Sequence, residues 1–155
     1  MSAKIAIVQE DRGSSVDLVP HLLSISKCVR QLMGIKLAEC GVVVGQDQFL
    51  LCFEGADTLG SIQIANRLSV RPSTVSKMVD ILERKGWVQR ESDEGDHRRV
   101  LVRLTPAGRT LADRVRNVQA ELETELLAAI SNGKTILPAI KELDLLLAKR
   151  LRRLR

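Results

Sequence analysis

Between Pro72 and Thr105 the apolar pattern changes its period, and that change narrows the possible folds more than any other feature of the chain. Val75, Met78, Val79 and Leu82 fall at i, i+3, i+4 and i+7, the stripe of a helix that turns one side to a core. Pro72 suits the first helical position and Gly86 the residue just past the end. From Trp87 onward, "WVQRES" and then "RVLVRLT" alternate apolar and polar residues, the period-two mark of strands. "DEGDHR" between them is rich in turn formers, so the pair predicts a β-hairpin. A short amphipathic helix and a hairpin each need a partner to bury their apolar side, so the two share one core.

Helical stripes flank this unit. From Leu18, apolar residues recur at Leu22, Ile25, Val29 and Leu32, with Asp17 or Ser15 as cap, Pro20 in the first turn and Gly41 as stop. A shorter helix is expected around Val44 to Glu54, where "QFLLCF" is apolar almost all round. Ile62, Ile64, Ala65 and Leu68 line one side of a two-turn helix that ends at "SVR". Beyond the hairpin, Thr105 and Pro106 start a long helix through Leu111, Val115, Val118, Leu122 and Leu126. "SNGK" breaks it before a last helix that carries Ile136, Ile140, Leu143, Leu147, Leu151 and Leu154.

The expected order is α-α-α-α-β-β-α-α, a mainly α fold with a small β-hairpin. Residues 1–14 read as a flexible arm and 15–155 as a single domain. The terminal stripes, over 15–42 and 106–155, exceed what the compact lobe of 43–105 can cover, so a homodimer built from them is expected.

Composition limits the function classes. With no Tyr, one Trp and two Phe, packing runs through aliphatic side chains. Apolar residues at 45% and charged residues at 28% describe a globular chain, and 155 residues suffice for one domain. A net charge of +5 suits a polyanion partner without demanding one. No apolar run approaches the roughly 18 residues a membrane helix needs. Cys28, Cys40 and Cys52 make an odd set, which argues against a disulfide framework and for a reducing cytoplasm. His21 and His97 stand far apart, and no Cys or His pair has ligand spacing, so no metal site is expected. Without a glycine-rich phosphate loop or a nucleophile beside a base, neither a cofactor nor catalytic residues are expected.

A short helix, a turn at "SVR" and a second helix with a polar outer face are the parts of a helix-turn-helix. The major groove is about 12 Å wide and admits one helix. Short hydroxyls at the start of that helix approach bases or phosphates closely, and Lys77 adds charge one turn later. His97, Arg98 and Arg99 sit near the hairpin tip, where a cation reaches the narrow, negative minor groove. Asp96 is placed to orient the Arg98 guanidinium.

Taken together, "SIQIANRLSVRPSTVSKMVDILERKGWVQR" and "DEGDHRRVLVRLTPAGR" resemble the winged helix-turn-helix of the MarR family of bacterial transcription regulators. The matching positions are Ser73, Thr74 and Ser76, Leu82 with Lys85-Gly86, Asp96-His97-Arg98, and Leu104 to Gly108, with Gln46 and Phe49-Leu50 upstream. The resemblance implies a winged helix-turn-helix plus long N- and C-terminal dimerisation helices. It also implies paired recognition helices that read a pseudo-palindromic operator in double-stranded DNA. By that carry-over Arg71, Ser73, Thr74, Ser76 and Lys77 face the major groove. Arg98 enters the minor groove, steadied by Asp96, and Arg99 touches phosphate. Asp80 and Arg84 are as readily solvated surface.

In this family small aromatic acids bind between the dimer helices and the DNA-binding lobe. Leu22, Ile25, Cys28, Val43, Phe49 and Phe53 are the expected lining, with ordinary core packing as the plainer reading of the same residues. Relatives that sense peroxide use a cysteine in the first helix. Cys28 is therefore the redox candidate, although the tyrosines such sensors place near the thiol are missing here. A reading from another class is a helical dimer that binds proteins, its basic "KRLRRLR" end meeting an acidic partner.

Overall fold

The computed structural model describes residues 17–92 and 100–154. Along the chain run α1 (Leu18–Ala38), α2 (Gln46–Leu51), β1 (Thr58–Gly60), α3 (Ser61–Leu68) and α4 (Pro72–Arg84). They are followed by β2 (Val88–Ser92), β3 (Val100–Leu104), α5 (Pro106–Ala129) and α6 (Gly133–Arg153). The fold is mostly helical with a small antiparallel sheet, as the sequence predicts.

Two elements differ from expectation. β1 adds a third strand, giving the order β1-β3-β2, with Leu59 opposite Val102. Three residues are too few for an alternation to show, and the strand exists only because β3 offers its free edge. α2 is also shorter than the apolar run around it. Gly45 at φ +102° and Gly55 at φ +73° hold backbone conformations outside the helix at either side, and Cys52 N–H is shared between Gln48 O (3.0 Å) and Phe49 O (3.3 Å) as the last turn tightens.

Three helices end in one device. Beyond α1, α3 and α4 a residue with positive φ (Gly41, Ser69, Gly86) lets the next N–H return five residues back, as Val42 to Leu37, Val70 to Ala65 and Trp87 to Leu82. Ser69 bears a steric cost at φ +57° that glycine would not, at the turn leading into α4.

The core lies inside the lobe. Phe49, Leu50 and Ile64 meet Val75, Val79 and Leu82 of α4 and Val88 and Val102 of the sheet. The rings of Phe49 and Phe53 lie 5.7 Å apart. α5 ties the lobe to α1 through Leu111, Val115 and Leu122, which join Met33 and Leu37 in the same cluster, and Lys36 pairs with Glu125 at 2.8 Å. The rest of α1 and all of α6 remain open. α6 buries none of its residues, leaving Leu145 68% and Leu147 48% exposed, and on α1 Leu23 is 67% exposed.

Candidate nucleic-acid interface

α4 is built to present one face. Val75, Val79 and Leu82 are at most 1% exposed, whereas Arg71, Ser73, Thr74, Ser76 and Lys77 are all exposed on the other side. Arg71 is extended (φ −76°, ψ 147°) and Pro72 opens the helix with its φ already set. No side chain caps this N-terminus and its first turn holds no acid, so its leading N–H groups face outward with the positive end of the helix dipole. The structure thus brings these five expected residues together on one convex surface.

The hairpin stands beside that helix. β2 and β3 pair from Val88↔Leu104 to Ser92↔Val100. Asp96, His97, Arg98 and Arg99, the expected minor-groove tip, lie outside the described residues. What the structure adds is how the hairpin is joined to α4. Arg90 of β2 extends its guanidinium to Asp80 (Nη2 to Oδ1, 2.5 Å) and to Glu83, and its backbone N–H donates to Glu83 Oε1 at 3.1 Å. Asp80 and Glu83 are three residues apart, hence neighbours on one face of the helix. Asp80 is therefore a partner of the wing strand, and Arg84 Nε donates to Asp80 O at 3.1 Å. Farther along the strands Arg103 Nη1 meets Glu91 Oε1 at 2.8 Å. The Gln89 amide first, and then Arg103, hold the Glu91 carboxyl below its ordinary value.

The base of the hairpin is fixed by the "LTPAG" segment. Thr105 N–H donates to Trp87 O (3.0 Å), its hydroxyl donates to Gly86 O (2.7 Å), and the same oxygen accepts from Gly108 N–H (3.0 Å). Thr105 is thus the N-cap of α5, as expected. A Cβ on Gly108 would lie 1.9 Å from Trp87 O, so only glycine allows α5 to start this close to β2. On the other side of α4, Lys85 Nζ donates to Gln46 Oε1 (3.1 Å) and lies 4.3 Å from the centre of the Trp87 ring, linking α2 to the end of α4.

The six residues expected to line a ligand cleft do not form one. Phe49 and Phe53 are core residues, Leu22 is half-buried, and Ile25, Cys28 and Val43 are exposed on α1 and the following turn. The reason is the face α1 chooses. Val29, Met33 and Leu37, four residues apart, turn toward α5, which rotates Ile25 and Cys28 away from the lobe. A cleft of about 620 Å³ does exist between the α2–β1 connection and α5. Phe53 and Leu50 line its floor, with Asp57, Arg109, Asp113 and Arg116 around it. Of the expected lining only Phe53 reaches it. Cys52 is buried, and burial, opposed by Arg67, pushes its thiol up to about 12. Among the described residues no group of His, Cys, Asp or Glu is arranged to hold a metal, and no helix is long and apolar enough to cross a membrane.

Sequence reasoning missed Arg90 and Glu83. A pair of acids three apart on α4, followed by an arginine just after the Gly86 turn, was the available signal.

Comparison with known proteins agrees with this geometry. The MarR family model matches residues 49–100, from α2 to the start of β3. The transcriptional regulator PecS of Dickeya dadantii is 39% identical over 79 residues, 50% of this chain and 48% of its own. In such matches the chain spans about half the length of the curated relatives. The reduced form of MarR from E. coli shares the fold with a TM-score of 0.75 at 23% identity, over 83% of this chain and 97% of that one. MepR of S. aureus, solved as a DNA complex, has a TM-score of 0.72 at 25% identity, over 85% and 98%. The helix-turn-helix lobe with its β-hairpin is thus similar to MarR-family regulators, by sequence over residues 49–100 and by fold over most of the chain.

Proposed function

We propose that the chain is a sequence-specific, double-stranded DNA-binding transcriptional regulator that acts in the cytoplasm as a homodimer and represses its targets. The observation that carries this reading is the α4 surface, where Arg71, Ser73, Thr74, Ser76 and Lys77 stand exposed over a fully buried Val75–Val79–Leu82 stripe. A helix held this firmly from behind and left polar in front fits a major groove. Arg98 with Asp96, and Arg99, extend the contact from the wing. The regulator names of the relatives and the DNA bound to MepR support the same reading.

The exposed leucines of α1 and α6 support the dimer. Large exposed side chains such as Leu23, Leu145 and Leu147 lie on the helices of 15–42 and 106–155, the two segments read as dimerisation helices. Pairing them with a second copy covers this apolar surface and sets two α4 helices for a pseudo-palindrome.

A small-molecule effector has a place in the cleft between the α2–β1 connection and α5. Its apolar floor of Leu50 and Phe53, ringed by Glu54, Asp57 and Asp113 as well as Arg109 and Arg116, suits a small molecule with a flat apolar body and polar edges. Such a ligand would wedge the lobe against α5 and alter the spacing of the two recognition helices.

Fluorescence anisotropy with a duplex from upstream of the chain's own gene, against a random duplex of equal length, tests the core of this reading. Tight, salt-sensitive and selective binding is expected, with Lys77→Ala lowering it. Equal weak binding to both duplexes, together with no effect of Lys77→Ala, would sink the reading.

A further inference from the structure

The positive charge of this protein is not where its reading helix is. Residues 43–105, the whole winged lobe, hold nine basic and nine acidic residues and are formally neutral. The last seven residues hold Lys149, Arg150, Arg152, Arg153 and Arg155 and no acid. Set those five aside from the chain's 24 basic residues and 19 remain, balancing its 19 acids, so the last seven residues carry a charge equal to the whole net +5. Affinity for duplex DNA comes largely from cations that displace counterions from phosphates. A neutral lobe supplies little of that by itself.

The fold places this charged end beside the turn that leads into the reading helix. Ala148, Leu151 and Arg152 of α6 face Asn66, Arg67 and Ser69 across an open cavity of about 550 Å³. Ser69 lies in the turn that leads through Arg71 into α4, the end of that helix turned toward the groove. Lys149, Arg150, Arg152 and Arg153 are exposed, and none forms an ion pair among the described residues, whereas Arg67 is already engaged by Cys52 O and Glu54 O. At 100° per residue the four cations span about 160° of the helix, and Leu147, Leu151 and Leu154 occupy the opposite arc. One arc of the α6 end can therefore pair with a helix while the other stays open to an anion.

We propose that the basic end of α6 is a second DNA-contacting surface, which grips the phosphate backbone next to the turn into α4 and supplies much of the sequence-independent part of binding. The proposal rests on the DNA-binding reading above and adds to it an element outside the winged lobe. Charge fits either anion, and the placement of this end beside the turn into α4 selects DNA over an acidic protein as the occupant. Phosphate contacts position a protein without carrying sequence information, so this surface raises affinity for all duplexes alike.

The test uses the full chain and the triple variant Arg150→Gln, Arg152→Gln, Arg153→Gln. Anisotropy is read on the own-upstream duplex and on the random duplex across a series of KCl concentrations. The slope of log K against log salt should flatten by about 0.9 for each phosphate that the variant no longer neutralises. Affinity should fall by the same factor on both duplexes, leaving their ratio unchanged. A second triple variant with lysine at the same positions keeps the slope, which separates the missing charge from a disturbed helix pair. An unchanged slope in the glutamine variant, or a weakening confined to the own-upstream duplex, overturns the proposal and leaves this helix end to a protein partner. Should the unaltered chain fail to distinguish the two duplexes, the operator-reading function falls. The slopes on random duplex still decide the role of the α6 end.

Discussion

Replacing Gly108 with alanine sets two physical effects of opposite sign against each other. Gly108 is the third residue of α5, and in a helix alanine is better than glycine by about 1 kcal/mol. On propensity alone the variant is the more stable protein. The structure predicts the reverse, because the new Cβ would sit 1.9 Å from the Trp87 carbonyl oxygen, a backbone atom with no rotamer to move. Relief requires the start of α5 to lift away from β2. Forced overpacking costs about 1–3 kcal/mol. Lifting also stretches the Thr105 cap on Gly108 N–H and the Thr105 N–H bond to Trp87 O, each worth about 1 kcal/mol. The net effect is a destabilisation of about 2–4 kcal/mol, or a fall in Tm of roughly 5–15 °C for a chain of this size. Urea titration followed by far-UV circular dichroism measures it. Trp87, the single tryptophan, reports the local shift through its fluorescence. A Tm at or above that of the unaltered protein would refute the close-approach argument.

Other outcomes follow from the same geometry. Asp80→Asn makes the DNA-facing side more positive, which by simple electrostatics strengthens binding. Loosening Arg90 instead should cost about 0.5–1 kcal/mol, a two- to fivefold drop in selective affinity, and tighter binding would show that the clamp does not position α4. Cys52 is uncharged in the folded state up to about pH 12, whereas the unfolded thiol ionises near 9. Stability is therefore fully present below about pH 9 and declines as the pH rises toward 12; Cys52→Ala should remove that part of the alkaline slope in chemical denaturation, and an unaltered slope would contradict it. Leu147→Glu places a charge on the exposed leucine face of α6 and should shift the proposed dimer toward monomer in sedimentation equilibrium, with the lobe's circular dichroism retained. A dimer of undiminished strength would exclude that face from the interface.

Much of this fold was legible because its signals are local. The 3.6-residue period of Val75, Met78, Val79 and Leu82 located α4, Pro72 and Gly86 marked its ends, and Thr105-Pro106 located the start of α5 to the residue. Strand alternation located β2 and β3 because each runs five residues. β1 was invisible for the opposite reason: at three residues it has no pattern of its own and is a strand only by pairing with β3. Within one chain the residues expected to line a ligand cleft do not come together at α1, for a related reason. Its apolar positions fill more than one face, and sequence spacing does not say which face meets α5. That was settled by Leu122 and Val115 packing against Met33 and Leu37, leaving Ile25 and Cys28 outside.

By itself, then, the sequence determined the kinds and ends of most elements, the polar face of α4, and the concentration of net charge in the last turns. Periodicity, capping and charge are properties of neighbours along the chain, and they survive without a fold. The tertiary structure alone decided which partners meet across long separations. It closed Arg90 on Asp80 and Glu83, pressed Gly108 against Trp87, turned one face of α1 to α5, and brought the basic end of α6 beside the turn into α4. Those outcomes depend on how helices rotate about their axes to bury the most apolar surface in one core, and that choice is made by all the packed residues together.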